Sequence, residues 1–166
     1  MSEKKKNLSE HDSFKLSNAD NIRIGILVSE WNSTVTESLK KGATDTLKEY
    51  GILSKNTIIH SVPGSFELPT GAVMMLEADD QLNAVICLGC VIQGETRHFE
   101  FISQAVANGI MQVGIDYNTP VIFGVLTCDT IEQAEARAGG EHGNKGVEAA
   151  VSCLKMLRLE KKIRQQ

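Results

Sequence analysis

Four stretches of the chain carry the β-branched and apolar density of strands: residues 22–28 (IRIGILV), 56–62 (NTIIHSV), 83–92 (NAVICLGCVI) and 119–127 (TPVIFGVLT). The third is an almost unbroken apolar run, the signature of a strand buried on both faces. Between the strands the period changes to three and four. Val35, Leu39, Ala43, Leu47 and Tyr50 lie on one face of a helix, with Thr34 and Glu37 spaced as a capping box and Gly51 as its stop. Pro63-Gly64 forces a turn before a helix over 67–78. From Arg97 onward Phe99, Ile102, Val106, Ile110 and Val113 mark a third helical face. A short helix over 131–137 is followed by the glycine-rich AGGEHGNKG. The last helix has Val147, Val151, Leu154 and Leu157 inward, and Lys155, Arg158, Lys161 and Lys162 at its end, where cations suit the helix dipole.

Strands and helices that alternate with such short connections predict an α/β three-layer sandwich. Its mainly parallel four-stranded sheet has flavodoxin-like order, with helices on both faces. Residues 1–20 are polar and without period, so they read as a mobile arm or a segment that orders on a neighbour. Residues 21–166 form one domain.

Composition narrows the class. A hydrophobic content of 42% over 166 residues supports one proper core. The net charge of −4 is small and its basic residues are dispersed, which argues against a nucleic-acid partner. The opening MSEKKKNLSEHDS has no apolar stretch behind it, so neither a signal peptide nor a membrane anchor is expected, and the cytoplasm is the expected location. Cys87 and Cys90 form a CxxC, but inside a buried strand; a redox pair wants a helix N-terminus, and a zinc site wants a second ligand pair that Cys128 and Cys153 do not supply.

Ligands of open parallel sheets bind beyond the carboxyl ends of the strands. The chemically distinctive residues fall there. Trp31, the only tryptophan, follows the first strand in a polar loop and could stack on a flat ring; a ring folded back on its own helix is the alternative. Ser65, Phe66 and Glu67 follow the second strand, and Glu67 could accept hydrogen bonds from a polyol. The third strand ends in Val91 and Ile92 and runs into Gly94-Glu95-Thr96-Arg97-His98. That turn sets backbone N–H groups and an imidazole at a helix N-terminus, which suits an anion and a proton carrier. An ordinary surface or capping role is the alternative for His98. His142 has a weaker claim, and His11 and His60 have none.

Arg137, Lys145 and the N–H groups of 94–96 together could hold a phosphate. Neither GxxxxGK[ST] nor GxGxxG occurs, so a small phosphorylated molecule fits better than a nucleotide. A phosphoreceiver domain is excluded because the third strand ends without an aspartate.

The pair Trp31-Asn32, VPGSFELP at 62–69, GCVIQGETRHFEF at 89–101, PVIFGVLT at 120–127 and RAGGEHGNKGVEAA at 137–150 together resemble the 6,7-dimethyl-8-ribityllumazine synthases of riboflavin biosynthesis. The resemblance runs from about Ile24 to Leu157. It implies a transferase that condenses 5-amino-6-(D-ribitylamino)uracil with 3,4-dihydroxy-2-butanone 4-phosphate, releasing phosphate and water, with no metal and no organic cofactor. By position it implies that Trp31 stacks on the pyrimidine and that Ser65, Phe66 and Glu67 meet the ring edge and ribityl chain. Val91 and Ile92 would line the pocket. Gly94, Glu95 and Thr96 would offer N–H groups to the phosphate, Arg137 would clamp it, Glu148 would orient Arg137, and His98 would carry protons.

Phe123 and Lys145 would come from an adjacent subunit, since sites of this family lie between neighbours in a homopentamer, which in some members builds a sixty-subunit capsid. Two positions depart from many relatives: Glu141 stands where a lysine is common, and Glu95 where a small residue is. Both bring negative charge toward the expected phosphate. The rival reading is a non-catalytic member that only binds a lumazine or flavin, and the presence of His98 and Arg137 argues against it.

Overall fold

The computed structural model describes residues 7–165. Strands β1 (Ile24–Ser29), β2 (Thr57–Val62), β3 (Ala84–Ile92) and β4 (Val121–Cys128) form one sheet in the order β2-β1-β3-β4, every pair parallel. This is the flavodoxin-like order that the short crossovers predict. The crossover helices are α1 (Ser33–Glu49), α2 (Leu68–Ala78) and α3 (His98–Asp116); α4 (Ile131–Ala136) and α5 (Lys145–Arg164) follow β4.

Strands β1 and β3 are central, and their burial explains their composition: all six residues of β1 and the first seven of β3 are buried. Side chains alternate between the two faces of the sheet. Ile24, Ile26 and Val28 of β1 with Ile86 and Leu88 of β3 meet Leu39 and Leu47 of α1 and Leu154 and Leu157 of α5. On the other face Leu27, Val85 and Cys87 meet Ala72 and Met75 of α2 and Val106, Ile110 and Val113 of α3. Edge strand β2 has three exposed residues in sequence, Ile59, His60 and Ser61.

Helix α1 closes as its sequence predicts. Gly51 has φ of +90°, its N–H donates to the Lys48 carbonyl, and the Ile52 N–H donates to the Leu47 carbonyl, a Schellman motif. Its start differs from expectation. The helix begins at Ser33 after Asn32 in the left-handed region (φ 58°), so Thr34 lies inside the first turn and no side-chain cap forms.

The glycine-rich stretch contains a small hairpin of β5 (Ala138–Gly140) and β6 (Gly143–Asn144). Asn144 then caps α5: its Oδ1 accepts from Gly146 N–H at 2.8 Å and Val147 N–H at 3.4 Å, while its Nδ2 donates to the Ser38 carbonyl of α1 at 3.0 Å.

The expected polar arm falls partly outside the described residues. From Asn7 on, it lies against its own domain. Phe14 packs on the Tyr50 ring with centroids 4.8 Å apart and under the Arg158 guanidinium, and Lys161 donates to Ser17 Oγ at 2.7 Å. Hydrophobic and cation–π contacts thus fasten a segment whose composition alone gives no such signal.

Candidate active site

The carboxyl ends of β1, β2 and β3 are tied together by their loops. The Glu30 N–H donates to the Val62 carbonyl at 2.9 Å, joining the loop after β1 to the end of β2. The Asn32 side-chain amide donates to the Cys90 carbonyl at 3.1 Å, joining the loop after β1 to β3. The Gln93 N–H donates to the Cys128 carbonyl at 2.9 Å, joining β3 to β4.

On this platform stands Trp31, 71% exposed. Core packing does not account for that exposure, so its indole is a free aromatic face. It lines a cleft of about 510 Å³ with Asn32, Pro63, Ile131 and Glu135. Pro63, Ile131 and Glu135 carry no site signal in the sequence beyond their proximity to strand ends. Gly64 sits under the indole edge, where a Cβ would stand 3.4 Å from Trp31 Cδ1 and 3.1 Å from Glu67 Oε2.

The segment 65–67 forms one turn of 3₁₀ helix ahead of α2. Glu67 folds back so that its carboxylate accepts from Gly64 N–H at 2.9 Å, which fixes the carboxyl group beside Trp31. Phe66 is 55% exposed, whereas Ser65 is buried. The Ser65 hydroxyl is directed at Gly89 of β3, where a Cβ would come within 2.5 Å of it, and Ser29 Oγ lies on the same glycine at 3.3 Å. Neither hydroxyl has a hydrogen-bond partner among the described residues.

Val91 and Ile92 become half-buried as β3 leaves the core. The segment Gly94-Glu95-Thr96 beyond it is exposed, and no described residue stands within 4 Å of where a Cβ at Gly94 would be. His98 opens α3 with its imidazole exposed, and its N–H donates to Thr96 Oγ1 at 3.4 Å.

Arg137 terminates α4, and its guanidinium donates to the Gln133 carbonyl at 2.9 Å. Its positive charge reaches Cys128: desolvation raises that thiol, and the guanidinium opposes the rise. Glu148 does not engage Arg137 within the chain. Its carboxylate instead pairs with Lys145 at 2.7 Å, one helical turn earlier on α5, the spacing at which side chains of one helix meet. Glu141 is directed at His142 Nε2 at 3.1 Å.

Phe123 lies elsewhere. It pairs in register with Cys87, five residues before Ile92, and so is roughly 16 Å back along the strand from the sheet end. There it joins Met111, Ile115, Met156, Leu159 and Ile163 around an apolar groove of about 910 Å³ between α3 and α5. The cysteines are free and buried, with the Cys87, Cys90 and Cys153 thiols pushed up to about 12 by desolvation. That leaves them protonated and inert. No helix among the described residues is long and apolar enough to cross a membrane.

Residues 21–161 match the family model of 6,7-dimethyl-8-ribityllumazine synthase. The chain is 54% identical over 157 residues to the 6,7-dimethyl-8-ribityllumazine synthase of Cytophaga hutchinsonii, covering 95% of this chain and 98% of that one. It is 52% identical over 155 residues to that of Porphyromonas gingivalis (93% and 96%), and 48% over 151 residues to that of Parabacteroides distasonis (91% and 94%). A parallel sheet in flavodoxin-like order, an exposed tryptophan in a cleft at its carboxyl end, and near-complete coverage by relatives of one name lead to one assignment: the chain belongs to the 6,7-dimethyl-8-ribityllumazine synthase family.

Proposed function

We propose that the cleft at the carboxyl ends of β1, β2 and β3 is where this chain carries out the reaction of its family. That reaction condenses 5-amino-6-(D-ribitylamino)uracil with 3,4-dihydroxy-2-butanone 4-phosphate to 6,7-dimethyl-8-ribityllumazine, the penultimate step of riboflavin biosynthesis, with release of phosphate and water. The observation that carries this location is the exposed Trp31 beside Gly64 and Glu67, on loops tied to the end of β3.

An amine and a ketone react once held together, so proximity supplies most of the acceleration. Trp31 stacks on the pyrimidine, Phe66 and Glu67 meet its edge and ribityl chain, and Ser65 supports that loop from below. Val91 and Ile92 wall the pocket. The N–H groups of Gly94, Glu95 and Thr96 and the Arg137 guanidinium hold the phosphate, a charge-assisted contact. His98 relays protons as the imine forms and the phosphate leaves.

Phe123 and Lys145 serve the site of a neighbouring subunit, with Glu148 steadying Lys145. The position of Phe123 far down β4 and the exposed apolar groove around it support this reading, because an apolar surface of that kind favours self-association. The assembly is a homopentamer, alone or built into a sixty-subunit capsid, in the cytoplasm; the particle mass in solution separates the two. Mixing both substrates with the protein and following lumazine absorbance and fluorescence tests the activity. A protein that binds the lumazine but leaves the substrates unchanged would be the non-catalytic relative instead.

A further inference from the structure

Arg137 and Lys145 flank the β5–β6 hairpin directly, and the Lys145 N–H donates to the Arg137 carbonyl at 2.8 Å, so the two cationic residues are held at the base of one loop. Helix α1 grips that loop from one side: Ser38 Oγ donates to the Ala138 carbonyl, and Asn144 Nδ2 donates to the Ser38 carbonyl at 3.0 Å. The N-terminal arm grips it at β6 and its flank. The Leu8 N–H donates to the His142 carbonyl at 2.8 Å, and the Asn144 N–H donates to Ser9 Oγ at 3.0 Å.

Between these two bonds the arm lies directly on Gly143. That residue has φ of +79°, and a Cβ there would overlap Asn7 Oδ1 and stand 2.6 Å from the Ser9 nitrogen and 2.8 Å from the Leu8 nitrogen. The arm is itself shaped for the contact. Asn7 Oδ1 accepts from the Ser9 N–H at 2.9 Å and the Asn7 carbonyl accepts from the Glu10 N–H at 3.1 Å, a side-chain-closed turn that presents Leu8 and Ser9 to the loop.

We propose that residues 7–9 are a strap that positions Arg137, the phosphate-side cation, with Ser9 as its positioning residue. The strap acts through backbone geometry: it holds the hairpin against α1 and so sets where the chain enters Arg137 and leaves through Lys145. This deepens the reading of Arg137 as a phosphate contact and rests on it. A loop free to shift by a fraction of an ångström would bind the butanone phosphate less well and leave the pyrimidine, which sits on the loops after β1 and β2, unaffected.

The test compares Ser9→Ala, Ser9→Thr and Arg137→Ala in the full chain, by steady-state kinetics in both substrates and by amide hydrogen exchange over residues 138–145. In Ser9→Ala the Asn144 amide should exchange faster and KM for the butanone phosphate should rise about two- to tenfold, the effect of one neutral hydrogen bond. The KM for the pyrimidine should stay within error of the parent, and Ser9→Thr, which keeps the acceptor, should restore both readouts. Unchanged exchange over 138–145, faster exchange with no change in either KM, or an equal rise in both KM values would each overturn the strap. If Arg137→Ala is silent, the phosphate assignment of Arg137 falls and the strap with it; a silent Ser9→Ala beside an impaired Arg137→Ala overturns the strap alone.

Discussion

The side-chain amide of Asn32 donates to the backbone carbonyl of Cys90 at 3.1 Å, and so the residue next to Trp31 is bonded to the strand that ends at the 94–96 turn. One hydrogen bond couples the loop that carries Trp31 to the strand that leads into the proposed phosphate turn. Asn32 also sits at φ of 58°, a conformation that Asn tolerates better than most residues. Asn32→Gly keeps the backbone but removes the amide. It should weaken stability by about 0.5–1.5 kcal/mol and raise KM for the pyrimidine. Asn32→Ala removes the amide and adds left-handed strain of about 1 kcal/mol. Chemical denaturation of both variants measures the two contributions; equal stability of Asn32→Gly and the parent would show the bond contributes nothing.

Trp31 is the only tryptophan in the chain and is 71% exposed, so its fluorescence reports on the cleft alone. A ribityl-pyrimidine analogue should quench it in a saturable way. Trp31→Ala should weaken pyrimidine binding and leave stability within about 0.5 kcal/mol, the usual range of surface substitutions. Emission that ignores a saturating analogue would make Trp31 structural.

Arg137→Ala should raise KM for the butanone phosphate by about ten- to a few hundredfold, from ~1.5–3 kcal/mol for a hydrogen bond to a charged group. Its contact with the Gln133 carbonyl holds the guanidinium at the end of α4, so Arg137→Lys should recover only part of the loss: an ammonium keeps the charge but not the fork. Kinetics in both substrates decide it, with unchanged values in each counting against the phosphate role.

His98 is exposed at the start of α3 and outside both hydrophobic clusters. His98→Ala should therefore fold and assemble as the parent does. Proton relay is worth about 10²–10⁴-fold in favourable cases, and a condensation that proceeds by proximity stands toward the low end. We expect kcat to fall by roughly ten- to a hundredfold with little change in either KM. Parent-like kcat would assign the proton transfers to another group or to water; a dead but correctly assembled enzyme would give His98 a larger part.

Much of the architecture is a local property of the sequence. Unbroken apolar runs at 83–92 and near 24–28 require strands buried on both faces, the period of three and four between them requires helices, and short crossovers leave the β2-β1-β3-β4 order as the natural arrangement. Gly51 fixes the end of α1 because the left-handed turn it makes is cheap only for glycine. The position of Trp31 at a strand end is legible for the same reason.

What the tertiary structure alone decides involves partners remote in sequence. Thr34 and Glu37 have the spacing of a capping box, yet the helix starts at Ser33 after a left-handed Asn32, whose amide bonds Cys90, 58 residues away. Glu148 could reach several cations, and α5 delivers it to Lys145 because the two share one face of that helix. The glycine-rich stretch carries no period, and becomes a hairpin only where Ser38 and the arm supply hydrogen bonds to its backbone. The arm itself is polar and aperiodic, and from Asn7 on it is held by Phe14 on Tyr50 and Ser9 on Asn144, partners at the end of α1 and the start of α5. Periodicity encodes which face of an element is buried; it carries no record of which distant polar group that face will meet.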